Sequence, residues 1–172
     1  AAIARARAAA AAASRARAAA AAAAARARAA SLARPAGPGL PAGGGAAGSP
    51  VAGVITRGFG QATLAGPATG VSFATAPAAR VVSPCAGKVV FGQKFRSYGL
   101  LLIVDCGGGY DFVMSGMARL DAQVGQSVRA GEPVGVMPGW NPRLSEKRPT
   151  LYVELRRNGV PVDPMPWLRR RG

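Results

Sequence analysis

The first 34 residues of this 172-residue chain are almost wholly alanine and arginine, so they can bury little area in a folded core. Both residue types favour helix, and the tract exceeds the roughly 12 to 15 residues below which isolated helices are marginal. At 100° per residue its arginines form two stripes on opposite sides of a helix, with alanine between them. We therefore predict a helical arm over residues 1–34 that forms the end of a coiled coil. The alternative is a solvated spacer.

The composition changes sharply at Pro35, which ends the predicted helix. Residues 35–49 are rich in Gly, Pro and Ala without apolar periodicity, which predicts a flexible linker. Residues 50–172 form the predicted folded domain, in which turn residues separate short apolar runs. The predicted strands are Val54 to Arg57, Gly70 to Thr75, Lys88 to Phe91, Leu100 to Asp105, Tyr110 to Met114, Pro133 to Met137 and Leu151 to Arg156. Asn158-Gly159 predicts a tight hairpin turn, so we expect a mainly β domain of antiparallel strands.

The charge is strongly basic, at +15, and every acidic residue lies beyond position 100. This balance predicts attraction to polyanions but does not choose among them. The aromatic residues form no stacking motif with the basic ones, so nucleic acid is not an expected partner. No apolar run reaches the roughly 18 residues of a membrane span. The chain begins at Ala1 without a recognisable signal peptide, and we interpret it as a processed or truncated fragment.

The chain contains no histidine and two cysteines, Cys85 and Cys106. The cysteines could form a disulfide in an oxidising compartment or remain as two small buried thiols. Cys85, Ser83 and Ser72 are conceivable nucleophiles, but a nucleophile needs a base and no motif supplies one. We therefore predict no metal, no cofactor and no catalytic residue.

Several motifs follow one another in a recognisable order. Residues 148–159 read Arg-Pro-Thr-Leu-Tyr-Val-Glu-Leu-Arg-Arg-Asn-Gly, and residues 124–132 read Val-Gly-Gln-Ser-Val-Arg-Ala-Gly-Glu. Val82-Ser83-Pro84 with Gly87-Lys88-Val89, and Asn158 to Pro164 with Trp167-Leu168, complete the set. Together they resemble the LytM (M23, lysostaphin-like) peptidoglycan endopeptidases over about residues 50–168. The resemblance implies an antiparallel-sheet LytM domain preceded by the α-helical arm.

The resemblance also identifies positions that hold zinc or assist catalysis in active members. The zinc ligands correspond to Ala68, Ser72 and Tyr152, and the two assisting histidines correspond to Gly116 and Thr150. None of these residues binds zinc well or transfers protons near neutral pH. The resemblance therefore implies a degenerate active site and a pseudo-peptidase.

A degenerate LytM domain behind a helical arm resembles the EnvC-type murein hydrolase activators. This resemblance implies that the former substrate groove binds a periplasmic N-acetylmuramoyl-L-alanine amidase during cell division and daughter-cell separation. It also implies that the arm is held by a membrane division complex related to ABC transporters, at the inner membrane. Tyr152 and Arg156 are the expected anchors in the groove, with Thr69, Ser72, Tyr98 and Leu101 beside them.

Two further expectations concern other surfaces. Arg143, Lys147 and Arg148 precede the site strand and could steer an acidic partner, or they could belong to a solvated loop. The alternative function is a peptidoglycan-binding module without hydrolase activity, which would make peptidoglycan itself a partner.

Overall fold

A computed structural model describes residues 2–33, 37–40, 48–144 and 147–168 of the chain. Its contacts divide the chain into two compact units, Ala1–Pro35 and Ala36–Gly172. The first unit contains helix α1, Ala2–Ala33, which has no one-sided apolar face. No helix in the described ranges has an apolar stretch long enough to cross a bilayer.

The regular secondary structure described for the second unit is mainly strand, and α2, Met165–Leu168, is a single helical turn near its end. The strands are β1 Gly53–Arg57, β2 Ala62–Thr63, β3 Gly66–Pro67, β4 Val71–Thr75, β5 Arg80–Val82, β6 Gly87–Lys94, β7 Leu100–Gly107, β8 Tyr110–Met117, β9 Arg119–Leu120, β10 Ser127–Val128, β11 Pro133–Val136, β12 Thr150–Arg157 and β13 Val160–Val162. All seven runs of the sequence prediction contain strands. The prediction ended β6, β7 and β8 too early and missed several two- and three-residue strands.

The large sheet has the strand order β1-β4-β12-β8-β7-β6-β10, and every pairing in it is antiparallel. β13 pairs with β12 through the Asn158-Gly159 turn, and both turn residues have positive φ, 51° and 79°. These values agree with the hairpin predicted from the sequence. A smaller sheet has the order β5-β11-β9.

The hydrophobic core lies on one face of the large sheet. Alternate residues of β7 and β8, such as Leu102, Val104, Phe112 and Met114, are fully buried there. Val81 of β5 and Val134 of β11 belong to the same core cluster, so the smaller sheet covers this face. Since side chains alternate along a strand, the remaining residues of the central strands point to the opposite face.

The two cysteines are joined by a disulfide between the turn before β6 and the C-terminal end of β7. Both sulfur-bearing side chains are buried, with Cys106 fully enclosed. The sequence left this pairing open, because two buried thiols would have packed equally well.

Residues 37–40, which the sequence assigns to the linker, belong to the second unit and pack against its core and β7. The Gly39 amide donates a 2.7 Å hydrogen bond to the Cys106 carbonyl oxygen, and Leu40 packs against the core. A methyl group on Gly37 would collide with the backbone oxygens of Ala86 and Cys106. This direct contact between backbones explains why a glycine-rich segment, hereafter called the strap (residues 37–40), is held there.

Candidate functional site

The open face of the large sheet contains a groove of about 690 Å³. Its floor is made by alternate residues of β7 and β8, which are the half of each strand not used by the core. The floor side chains are Leu101 and Ile103 from β7, and Val113 and Ser115 from β8. The groove is therefore a consequence of covering the sheet on one face only.

An aromatic wall rises on one side of the groove, from β6 and the turn that follows it. The rings of Phe91 and Phe95 are 5.9 Å apart and nearly perpendicular, while those of Phe95 and Tyr98 are 6.4 Å apart and nearly parallel. The turn is closed by the Phe95 amide, which donates to the Gly99 carbonyl. Phe95 is 40% exposed and Tyr98 59% exposed, so the wall offers uncovered ring surface to a ligand.

Tyr152 of β12 stands on the other side of the groove. Its hydroxyl lies 3.0 Å from the Thr69 hydroxyl, and its Cα is the register partner of Ser72 in β4. Burial raises the pKa of Tyr152, while the hydrogen bond with Thr69 opposes that shift. The side chain is therefore a neutral, half-buried ring whose hydroxyl is already oriented.

One end of the groove is charged. Arg156 donates through Nε to Glu154 Oε2 at 3.1 Å, and Glu154 is buried while the Arg156 side chain is 44% exposed. The Glu154 carboxylate is thus paired with a residue of its own strand. Asp111 of β8 is the register partner of Arg156 and also lines the groove. Because Nε is committed to Glu154, only the terminal nitrogens of Arg156 remain for a ligand.

The five positions that the sequence prediction assigns to former zinc ligands and catalytic residues lie in or close to β4, β8 and β12. Ser72 and Ser115 flank Tyr152 in the register, and Gly116 approaches the Thr150 carbonyl so closely that a Cβ would collide with it. Ala68 precedes Thr69, the hydrogen-bond partner of Tyr152. These side chains offer a methyl, a hydrogen and three hydroxyls, which do not form a zinc ligand set. In the described part of the chain, no three His, Cys, Asp or Glu residues lie close enough to hold a metal ion.

Ser83 and Cys85, considered as nucleophiles from the sequence, have other roles. The buried Ser83 hydroxyl donates to the Cys85 carbonyl at 2.7 Å, and the Cys85 sulfur is part of the disulfide. Both residues therefore stabilise the turn before β6.

The structure brings five of the six predicted groove residues to the groove lining. These are Thr69, Tyr98, Leu101, Tyr152 and Arg156. Ser72 is outside the lining, although it is the register partner of Tyr152 on β4. Phe91, Phe95, Ile103, Asp111 and Val113 also line the groove and were missed from the sequence. Side chains alternate between the two faces along β7 and β8, which places Ile103, Asp111 and Val113 on one face of the sheet. The alternation does not determine which face remains uncovered.

The basic loop before β12 is partly engaged within the domain. Arg148 donates through Nε to the Thr75 carbonyl at 3.3 Å, and its guanidinium lies 5.8 Å from the centre of the Trp140 ring. These contacts hold the loop against β4, which makes Arg148 a structural residue more than a free steering charge.

Comparison with known proteins gives consistent similarities. The model of peptidase family M23 matches residues 66–164. Over 88 residues the chain is 35% identical to the murein hydrolase activator EnvC of Escherichia coli (strain K12), covering 49% of this chain and 19% of that protein. Over 92 residues it is 34% identical to the lipoprotein NlpD/LppB homologue of Pseudomonas aeruginosa, covering 53% of this chain and 30% of that protein. The chain thus spans less than a third of either relative.

A similar fold occurs in a solved Pseudomonas aeruginosa structure assigned to the M23 peptidases. The TM-score is 0.61 at 26% sequence identity, and the match covers 80% of this chain and 55% of that one. The architecture of a helix followed by an antiparallel sheet agrees with the fold expected from the sequence.

Proposed function

The chain belongs to peptidase family M23, and from this premise we propose that it is a non-catalytic activator of a cell-wall amidase. The enzyme class is N-acetylmuramoyl-L-alanine amidase, and the activator binds it through the groove. One observation carries the proposal. The groove has a volume of about 690 Å³, while the residues that the resemblance assigns to the zinc and catalytic positions, Ala68, Ser72, Gly116, Thr150 and Tyr152, supply neither imidazole nor carboxylate groups.

The lining of the groove suits a protein segment. Apolar floor residues and exposed aromatic rings supply area that a partner can bury, and Tyr152 is a rigid ring with an oriented hydroxyl. Tyrosine and arginine are the residue types that most often dominate binding energy at protein interfaces. Tyr152 and Arg156 are therefore the anchors in this proposal, with Thr69, Tyr98 and Leu101 around them.

Activation then follows from differential binding. Suppose that 99% of the free amidase molecules are closed. To make 99% of them open, the activator must bind the open form more tightly than the closed form by roughly 5.5 kcal/mol. Two or three buried anchors, each worth about 2 kcal/mol or more, are enough to supply that difference. The groove needs no catalytic group for this purpose.

Compartment and tethering belong to the same proposal. The Cys85–Cys106 disulfide is typical of an oxidising compartment, which supports the periplasm. The similarity to EnvC supports a cell-division role, in which helix α1 contacts a membrane division complex related to ABC transporters. The membrane partner rests on the resemblance, because helix α1 has no one-sided apolar face that would indicate a partner.

The test is release of dye from labelled peptidoglycan by the chain alone, by each amidase of the same organism alone, and by each mixture. We expect release above the amidase baseline only in a mixture. Tyr152→Ala and Arg156→Ala should abolish the stimulation. Arg157→Ala is the matched control, because Arg157 is the next residue of β12 but lies outside the groove, over the Tyr110 ring.

Three other outcomes would contradict parts of the proposal. Release by the chain alone would contradict the non-catalytic assignment. Binding to purified sacculi without stimulation of any amidase would favour the peptidoglycan-binding alternative. Normal stimulation by both groove variants would exclude the groove as the amidase-binding surface.

A further inference from the structure

We infer that the groove selects an amphipathic segment of the partner that carries a basic side chain beside its apolar stripe, and that Asp111 receives this basic group. The inference rests on the proposed function for the identity of the partner as an amidase. It adds which side chains the groove recognises, and it makes Asp111 a specificity-determining residue.

The groove is divided into an apolar part and a charged part. Phe91, Phe95 and Tyr98 form the wall of the apolar part, over the floor residues Leu101 and Ile103. None of these five lining residues carries a charged group. An apolar stripe on the partner would cover this part.

The charged part has an ordered arrangement across the sheet. Asp105 of β7, Asp111 of β8 and Arg156 of β12 are consecutive register partners, and neighbouring strands lie about 4.8 Å apart. Arg156 is tied to Glu154 by its Nε contact at 3.1 Å. In the described residues, no hydrogen bond holds the Asp111 carboxylate. Asp111 is thus the lining carboxylate without a hydrogen-bond partner among the described residues.

Lys88 is the remaining charged residue of this row, on the far side of Asp105 in β6. Its ammonium nitrogen is buried and has no hydrogen-bond partner among the described residues. It is not a lining residue of the groove. Lys88 therefore does not neutralise Asp111 from within the groove.

The local sign of the charge is opposite to that of the chain. The protein is formally +15, but the charged lining of the groove consists of two carboxylates, Asp111 and Glu154, and one guanidinium, Arg156. Burial, and then the Asp105 carboxylate, raise the pKa of Asp111, while Arg156 opposes them. An acidic side chain placed here would meet two carboxylates, whereas a basic one would pair with Asp111. Charge complementarity therefore favours a lysine or arginine at this end of the partner segment.

The first experiment measures the affinity of the full chain for the amidase that it stimulates. Asp111→Asn should raise Kd by roughly tenfold and make it less dependent on salt, because one charge pair is lost. Asp121→Asn is the matched control, since Asp121 pairs with Arg119 outside the groove. A double-mutant cycle tests the pair directly. Neutralising the basic residue of the amidase that pairs with Asp111 should reduce the affinity little further once Asp111 is replaced by Asn.

A second experiment separates this inference from the proposed function. Two synthetic amphipathic peptides share one apolar stripe and differ by Lys or Glu at the flanking position. The wild-type chain should bind the Lys peptide more tightly by roughly tenfold, and Asp111→Asn should abolish that preference. Equal binding of the two peptides would overturn the inference even if an amidase is stimulated. If no amidase is stimulated, the proposed function fails and the peptide pair still decides the chemistry of the groove.

Discussion

The Tyr152 hydroxyl lies 3.0 Å from the Thr69 hydroxyl, which links β12 to the segment just before β4. The sequence prediction assigns Tyr152 to a zinc-ligand position of active M23 peptidases, and in the structure this residue is a neutral hydrogen-bonded ring. The contact fixes the ring at the side of the groove without any metal. The ring and the hydroxyl of Tyr152 can therefore contribute separately to the binding of a partner.

We expect Tyr152→Ala to weaken amidase binding far more than Tyr152→Phe or Thr69→Val. Losing the ring should cost about 2 kcal/mol or more, or at least about 30-fold in Kd, whereas losing one hydroxyl contact should cost about 0.5 to 1.5 kcal/mol. Titration of the amidase with each variant measures the difference. Equal losses for Tyr152→Phe and Tyr152→Ala would show that the hydroxyl, and not the ring, is the anchor.

Asp111 should make the domain less stable as pH rises. Its pKa is raised above the ordinary value of 3.8, chiefly by burial, so the folded state holds this proton more tightly than the unfolded state. The associated stability is present below pH 3.8 and is lost as pH rises through the folded pKa.

Asp111→Asn should therefore be more stable than the wild type at pH 7 and similar to it at low pH. Urea unfolding at several pH values measures this difference. A destabilised Asn variant at pH 7 would contradict the burial argument.

Removing the disulfide should destabilise the second unit. Cys85 and Cys106 are separated by 21 positions, and a loop of this size restricts the unfolded chain by about 3 kcal/mol. Cys85→Ala with Cys106→Ala should lower the free energy of unfolding by about that amount in urea titrations. Reductant should lower the stability of the wild type similarly and leave the double variant unchanged.

Gly37→Ala should release the strap. The added methyl would collide with the backbone oxygens of Ala86 and Cys106, and a backbone cannot move aside as a flexible side chain does. The strap shares a cavity with Trp167, so its release should increase quenching of Trp167 fluorescence by acrylamide in a Trp140→Phe background.

Gly48→Ala is the matched control for the strap, because a methyl there meets nothing within 4 Å. It should leave the quenching unchanged. If Gly37→Ala is quenched no more than Gly48→Ala, the strap is not held by its glycine contacts.

Local sequence signals determined the elements of this protein. The alternation in β7, β8 and β12 predicted strands because a half-buried strand repeats every two residues, and Asn158-Gly159 predicted its hairpin because both residues accept positive φ. The motif order identified the domain, and the residues at its ligand positions predicted a degenerate site. All of these signals can be read along the linear sequence.

Only the tertiary structure decided which surface stays open and what lines it. Covering one face of the large sheet with β5, β11 and β9 left Ile103, Asp111 and Val113 on the other face, where they line the groove together with Phe91 and Phe95. The Cys85–Cys106 pairing and the docked strap likewise bring together residues distant in the chain. Such contacts depend on how sheets pack against each other, and a one-dimensional pattern is compatible with either face being buried.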